Sequence, residues 1–77
     1  MNKQRRIRIE EAVSMIQEAL EILQEMRDEE QEAFDNLPEG LQATEQGERT
    51  EENAGALDEA CDALDEIIGN VNDVIYG

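Results

Sequence analysis

A chain of 77 residues is enough for one small domain, and at this size a hydrophobic core usually needs a disulfide, a metal or a partner to support it. One cysteine and no histidine exclude an internal disulfide framework and any Ser/His or Cys/His nucleophile pair, and argue against zinc sites of the usual kinds. A net charge of −15, from 21 acidic and 6 basic residues, argues against direct contact with nucleic acid or anionic membranes and favours basic partners and cations.

Residues 1–8 read as a basic tail running into the start of a helix, with Lys3, Arg5, Arg6 and Arg8 holding four of the six basic residues. After residue 9 the chain has 21 acidic residues and only Arg27 and Arg49, a net −19. Carboxylates follow the basic start at once, unlike a secretory leader. No apolar run approaches the ~20 residues of a membrane span. The expected location is the cytoplasm.

Residues 9–35 are predicted as the first helix. With Ile9 as heptad position a, positions a, d and e are apolar from Ile9 to Leu37 except at Arg27 and Glu30. Position c is Glu11, Glu18, Glu25 and Glu32. Met15 and Ile22 at position g widen the apolar face. One apolar stripe beside one acidic stripe is a helical pattern.

Residues 36–43 are predicted as a turn. Asp35-Asn36 can end the helix, Asn36 being suited to the left-handed C-terminal position, and Pro38 cannot continue it. Asn36 with Glu39 reads as a capping box for one short turn, "LPEGLQ", with Leu37 and Leu41 facing the core. A connection between helices accounts for every residue here without a dedicated binding loop.

Residues 44–75 are predicted as the second long helix, with Thr44 as N-cap, or Thr50 as a later alternative because Gly47 weakens the first turns. With Leu57 as position a, positions a, d and e from Leu57 to Ile75 are apolar without exception. Position c is acidic throughout: Glu45, Glu52, Glu59, Glu66 and Asp73. Cys61 falls inside the apolar stripe, where a buried, inert thiol is expected with no basic group beside it. An a/d/e face is wide enough to meet two other helices. The expected fold is therefore all-α, an antiparallel two-helix hairpin over residues 1–77 that dimerises into a four-helix bundle.

Paired carboxylates raise the question of catalysis. Glu29 and Glu32, with Glu59 and Asp62, resemble the ExxE–ExxD magnesium motif of all-α nucleotide pyrophosphohydrolases. So acidic a chain matches this spacing by chance, no lysine lies near to meet phosphate, and the pairs are expected out of register in the hairpin. No Gly-rich phosphate loop is present. No enzymatic activity, catalytic residue, metal or cofactor is expected.

The run "EAFDNLPEGLQATEQGERTEENAGALDEACDALDEI" resembles a family of small acidic all-helical proteins of bacteriophages and integrated mobile elements of Gram-positive and gut bacteria. The resemblance covers roughly residues 28–68. Its distinctive part is the "FDNLPE-LQ" turn, matched by Phe34, Asn36, Leu37, Pro38 and Gly40; the "LDEA…LDE" repeats are generic. It implies a phage-encoded accessory protein of the kind that often inhibits host machinery, and no active site.

The expected function is a non-enzymatic inhibitor that offers DNA-like negative charge to a basic, nucleic-acid-binding host protein. The expected contact residues are Glu11, Glu18, Glu25, Glu32, Glu52, Glu59, Glu66 and Asp73. A helix of about 30 residues is roughly 45 Å long, so 19 net charges fall one per roughly 2.4 Å, against about 1.7 Å in duplex DNA. The alternative is a structural or assembly module that docks a partner through its apolar face and turn.

Overall fold

A computed structural model describes residues 1–77 as three helices: α1 (Lys3–Asp35), α2 (Glu39–Gln42) and α3 (Glu45–Tyr76). The molecule is a rod of 58 × 15 × 14 Å. The all-α class expected from the sequence is what the chain adopts.

α1 contains neither glycine nor proline over 33 residues, so nothing interrupts its backbone ladder. It starts at Lys3, six residues before the predicted boundary. The signal is local: Asn2 is an extended N-cap whose Oδ1 accepts from the Arg5 backbone N–H at 2.8 Å. The basic segment thus forms the first turns of α1, the helix start into which it was expected to run.

The exit from α1 differs from expectation. Asn36 caps it with φ −83° and ψ −8°, right-handed, and no non-glycine residue has positive φ. The Asn36 and Leu37 N–H groups bond to the Glu32 and Phe34 carbonyls at 2.9 and 3.0 Å. This closes the last turn without the left-handed step. α2 is the expected short turn, but its N-cap is Pro38 with no side-chain bond, so there is no capping box from Asn36. The Gln42 amide draws the turn together instead, donating to the Phe34 and Leu37 carbonyls, both at 3.2 Å. Leu37 is half-buried, whereas Leu41 is 50 % exposed and does not face the core.

α3 begins as predicted at Thr44, whose hydroxyl accepts from the Gly47 N–H at 3.3 Å and donates to the Leu41 carbonyl at 2.6 Å. Three polar contacts set how the long helices pair. Arg27 meets Asp58, Glu30 meets Asn53, and Glu10 meets Tyr76. The second residue number falls as the first rises, so α1 and α3 run antiparallel.

Their common seam is narrower than the apolar face. It consists of rows e and a. On α3 row e is Gly47, Ala54, Cys61, Ile68 and Ile75, all buried at intervals of one heptad. On α1 it is Val13 and Leu20, buried, then Arg27 and Phe34, half-buried. Ile9, Ile16, Leu23, Leu64 and Val71 of row a complete the core. Volumes complement one another along the rod. Near the turn small residues of α3 oppose Arg27 and Phe34. At the open end Ile68 and Ile75 oppose Leu20 and Val13.

Candidate functional site

The five remaining rows divide the surface. Rows b, c and f hold every carboxylate of the two long helices except Glu29 and Glu30. Rows d and g carry the apolar residues that the seam does not use. Heptad geometry decides this: rows d and g flank row a on one side of each helix, and antiparallel pairing puts both of those sides on the same face of the rod.

All eight predicted stripe residues, Glu11, Glu18, Glu25, Glu32, Glu52, Glu59, Glu66 and Asp73, are exposed. The structure does not bring the two stripes together. Row c lies opposite the seam on each helix, so the α1 and α3 stripes run along opposite edges of the rod. Arg8 pairs with Glu11 one turn on, partly neutralising the end of the α1 stripe.

The turn residues have structural duties. Phe34 and Leu37 are half-buried and their carbonyls hold Gln42; Asn36, Pro38 and Gly40 are exposed. They build the joint between α1 and α3 and converge on no cavity.

The suggested magnesium pairs stand apart, as expected. With Arg27 against Asp58 and Glu30 against Asn53, Glu29 and Glu32 lie nearer the turn than Glu59 and Asp62, so the pairs are out of register. They also point apart, since Glu29 lies on row g and Glu59 on row c. No group of three or more His, Cys, Asp or Glu side chains is arranged to hold a metal ion.

The polar break at Arg27 and Glu30 faces Asn53, which an antiparallel hairpin is expected to bring there, and Asp58, which it is not. Arg27 donates to Asp28 at 3.1 Å and to Asp58 at 3.2 Å. Asn53 donates to Glu30 at 3.4 Å. The hydrogen bond to Asp28, and then the charges of Asp28 and Asp58, raise the Arg27 pKa further. Cys61 is buried and unpaired, as its place in the apolar stripe predicts. Asp58 escaped detection because it falls on row b, which periodicity assigns to solvent.

Ion pairs this open contribute little, whereas an apolar side chain at position 27 would fill the seam. Arg27→Met is therefore expected to raise the thermal midpoint of unfolding, followed by circular dichroism. A lower midpoint would show that the Arg27 pairs stabilise more than apolar packing does.

Tyr76, near the end of α3, donates to Glu10 at 3.3 Å, so the basic start of α1 lies beside the negative end of the α3 dipole. No helix is long and apolar enough to cross a membrane. Comparison of the chain with protein-family models, curated proteins and solved structures finds no match.

Proposed function

We propose that this chain is a non-enzymatic interaction protein, a helical hairpin that dimerises into a four-helix bundle and inhibits a basic, nucleic-acid-binding partner in the cytoplasm through its acidic surface. The observation that carries the reading is the sorting of charge. The carboxylates of α1 and α3 cover rows b, c and f with only Glu29 and Glu30 outside them. The outward surface of the rod is therefore acidic along its length of 58 Å. Such a surface can occupy Lys and Arg sites otherwise used by phosphates. The resemblance of the "FDNLPE-LQ" turn to phage and mobile-element proteins supports the same context.

The opposed stripes refine the contact. One partner molecule meets one edge, so the α1 glutamates and the α3 acids act separately. Charge reversal on one edge, Glu59→Lys with Glu66→Lys, is expected to weaken partner capture from bacterial lysate without loss of helical signal, because both side chains are exposed. Capture is also expected to fall as salt rises and as duplex DNA is added. Capture that resists reversal, salt and DNA would overturn the inhibitor reading. It would favour the second one, an assembly module docking through apolar surface, which the exposed d/g flank makes specific.

A further inference from the structure

The least expected surface of this protein is one face nearly cleared of negative charge. Of 21 acidic residues only Glu29 falls on rows d and g of the long helices, while Arg5, Arg8 and Arg49 all do. The same rows carry Met15, Ile22, Ile67 and Val74, which are 67 %, 58 %, 44 % and 61 % exposed. The whole chain exposes 5809 Å², where a folded monomer of this mass exposes about 4,700 Å².

We infer that this flank is the docking surface for a second copy of the chain, and that the two copies lie face to face with opposite ends together, α1 on α1 and α3 on α3. The inference rests on the dimer of the proposed function and supplies its interface and orientation.

Charge selects the occupant. A basic partner would be drawn by carboxylates on the contact face, and clearing them would weaken its binding. A second copy with net charge −15 tolerates contact only where carboxylates are absent. Area agrees. One long face of the rod, 58 Å by 15 Å, is close to the roughly 800 Å² per partner of a stable interface.

Charge also selects the orientation. With like ends together, Lys3, Arg5, Arg6 and Arg8 of both copies would crowd one end, and the acidic turns the other. Reversed, with Ala19 at the two-fold axis, Arg8 of each copy reaches the height of Glu29 of the other, and Met15 that of Ile22. The flank is thus self-complementary in both charge and bulk, as an isologous interface requires. Arg8 bonds Glu11 within its own chain and retains further guanidinium donors for Glu29. The reversed dimer also sets the α1 stripes of both copies along one edge, about 8–10 Å apart as packed helices are. That edge offers a basic partner two parallel rows of glutamates.

The test is the oligomeric state of the full chain alone, by sedimentation at several salt concentrations. A dimer is expected, and it should tighten as salt screens the like net charges. Partner capture should weaken over the same range, so the two readings fail separately. Arg8→Glu should loosen the dimer on the order of tenfold, and Arg8→Glu with Glu29→Arg should restore it. Ala19→Cys in a Cys61→Ser background should form an intermolecular disulfide, since residue 19 meets its own copy only in this orientation. Ile22→Glu with Ile67→Glu should give monomers. If that variant instead loses helical signal while the parent is dimeric, folding depends on the same interface, because both side chains are largely exposed within one copy. A parent that is monomeric and fully helical overturns the proposal. So does a dimer indifferent to Ile22→Glu with Ile67→Glu, or one that binds a different protein through this flank in place of itself. A dimer without the residue 19 cross-link overturns the orientation.

Discussion

Leu20→Asp is expected to unfold the protein. Leu20 is 7 % exposed at the centre of the apolar cluster, with Val13, Cys61, Ile68 and Ile75 as its buried companions. An ionised carboxylate there has no cation in the seam to meet, since Arg27 is committed to Asp28 and Asp58 two turns away. Placing a charge in such a site, with the loss of the leucine's packing, costs about 4 kcal/mol or more. Domains of this size have roughly 4–12 kcal/mol in total. The core holds only six buried hydrophobic residues, so the lower end of that range applies. Far-ultraviolet circular dichroism at 25 °C should show most of the helical signal gone. Glu18→Lys, on the exposed edge of the same helix, should shift stability by no more than about 0.5 kcal/mol. A Leu20→Asp protein that retains its helical signal and a cooperative melt would show that the seam is not what holds α1 to α3.

Alanine at glycine positions should have opposite signs in different parts of α3. Within a helix, alanine is favoured over glycine by about 1 kcal/mol. At Gly55 and Gly69 nothing lies within 4 Å of the position a Cβ would take. The double substitution should raise the melting temperature by about 8–16 °C. At Gly47 a Cβ would stand 2.5 Å from the backbone carbonyl oxygens of both Leu41 and Gln42. Neither can move without disrupting α2 and the Thr44 cap, whose hydroxyl bonds the same Leu41 carbonyl. Overpacking of this kind costs roughly 1–3 kcal/mol, which exceeds the propensity gain. Gly47→Ala should therefore lower the melting temperature and fray the α2–α3 joint, seen as faster amide exchange at residues 41–48. Equal stabilisation at all three glycines would mean that α2 does not pack against the start of α3.

Much of this protein follows from residue order alone. Long apolar periodicity marked both major helices, because a 3.5-residue repeat has no other regular solution. Glycine and proline placed the break between them, and the hydroxyl of Thr44 placed the start of α3. The acidic stripes were equally legible, since position c is solvent-facing in any packing that buries positions a and e. The basic residues were legible as leading into a helix start, but the boundary was set by the Asn2 cap six residues earlier than the apolar periodicity placed it.

Tertiary structure decided which part of a wide apolar face becomes the seam. Rows a, d and e are equivalent in sequence. The choice of a and e, leaving d and g open, depends on the angle at which the joint brings α3 back to α1. That joint is set by Gln42 reaching two carbonyls and by the absence of a Cβ at Gly47. Gly47 had read as a weakness in the helix. Its role is a close approach that exists only once α2 is in place. The same pairing gave Arg27 its partner Asp58 and sent the two acidic stripes to opposite edges. Heptad periodicity names the rows of a helix, but which rows of two helices share a face depends on their direction and relative height. Those are properties of the packed pair.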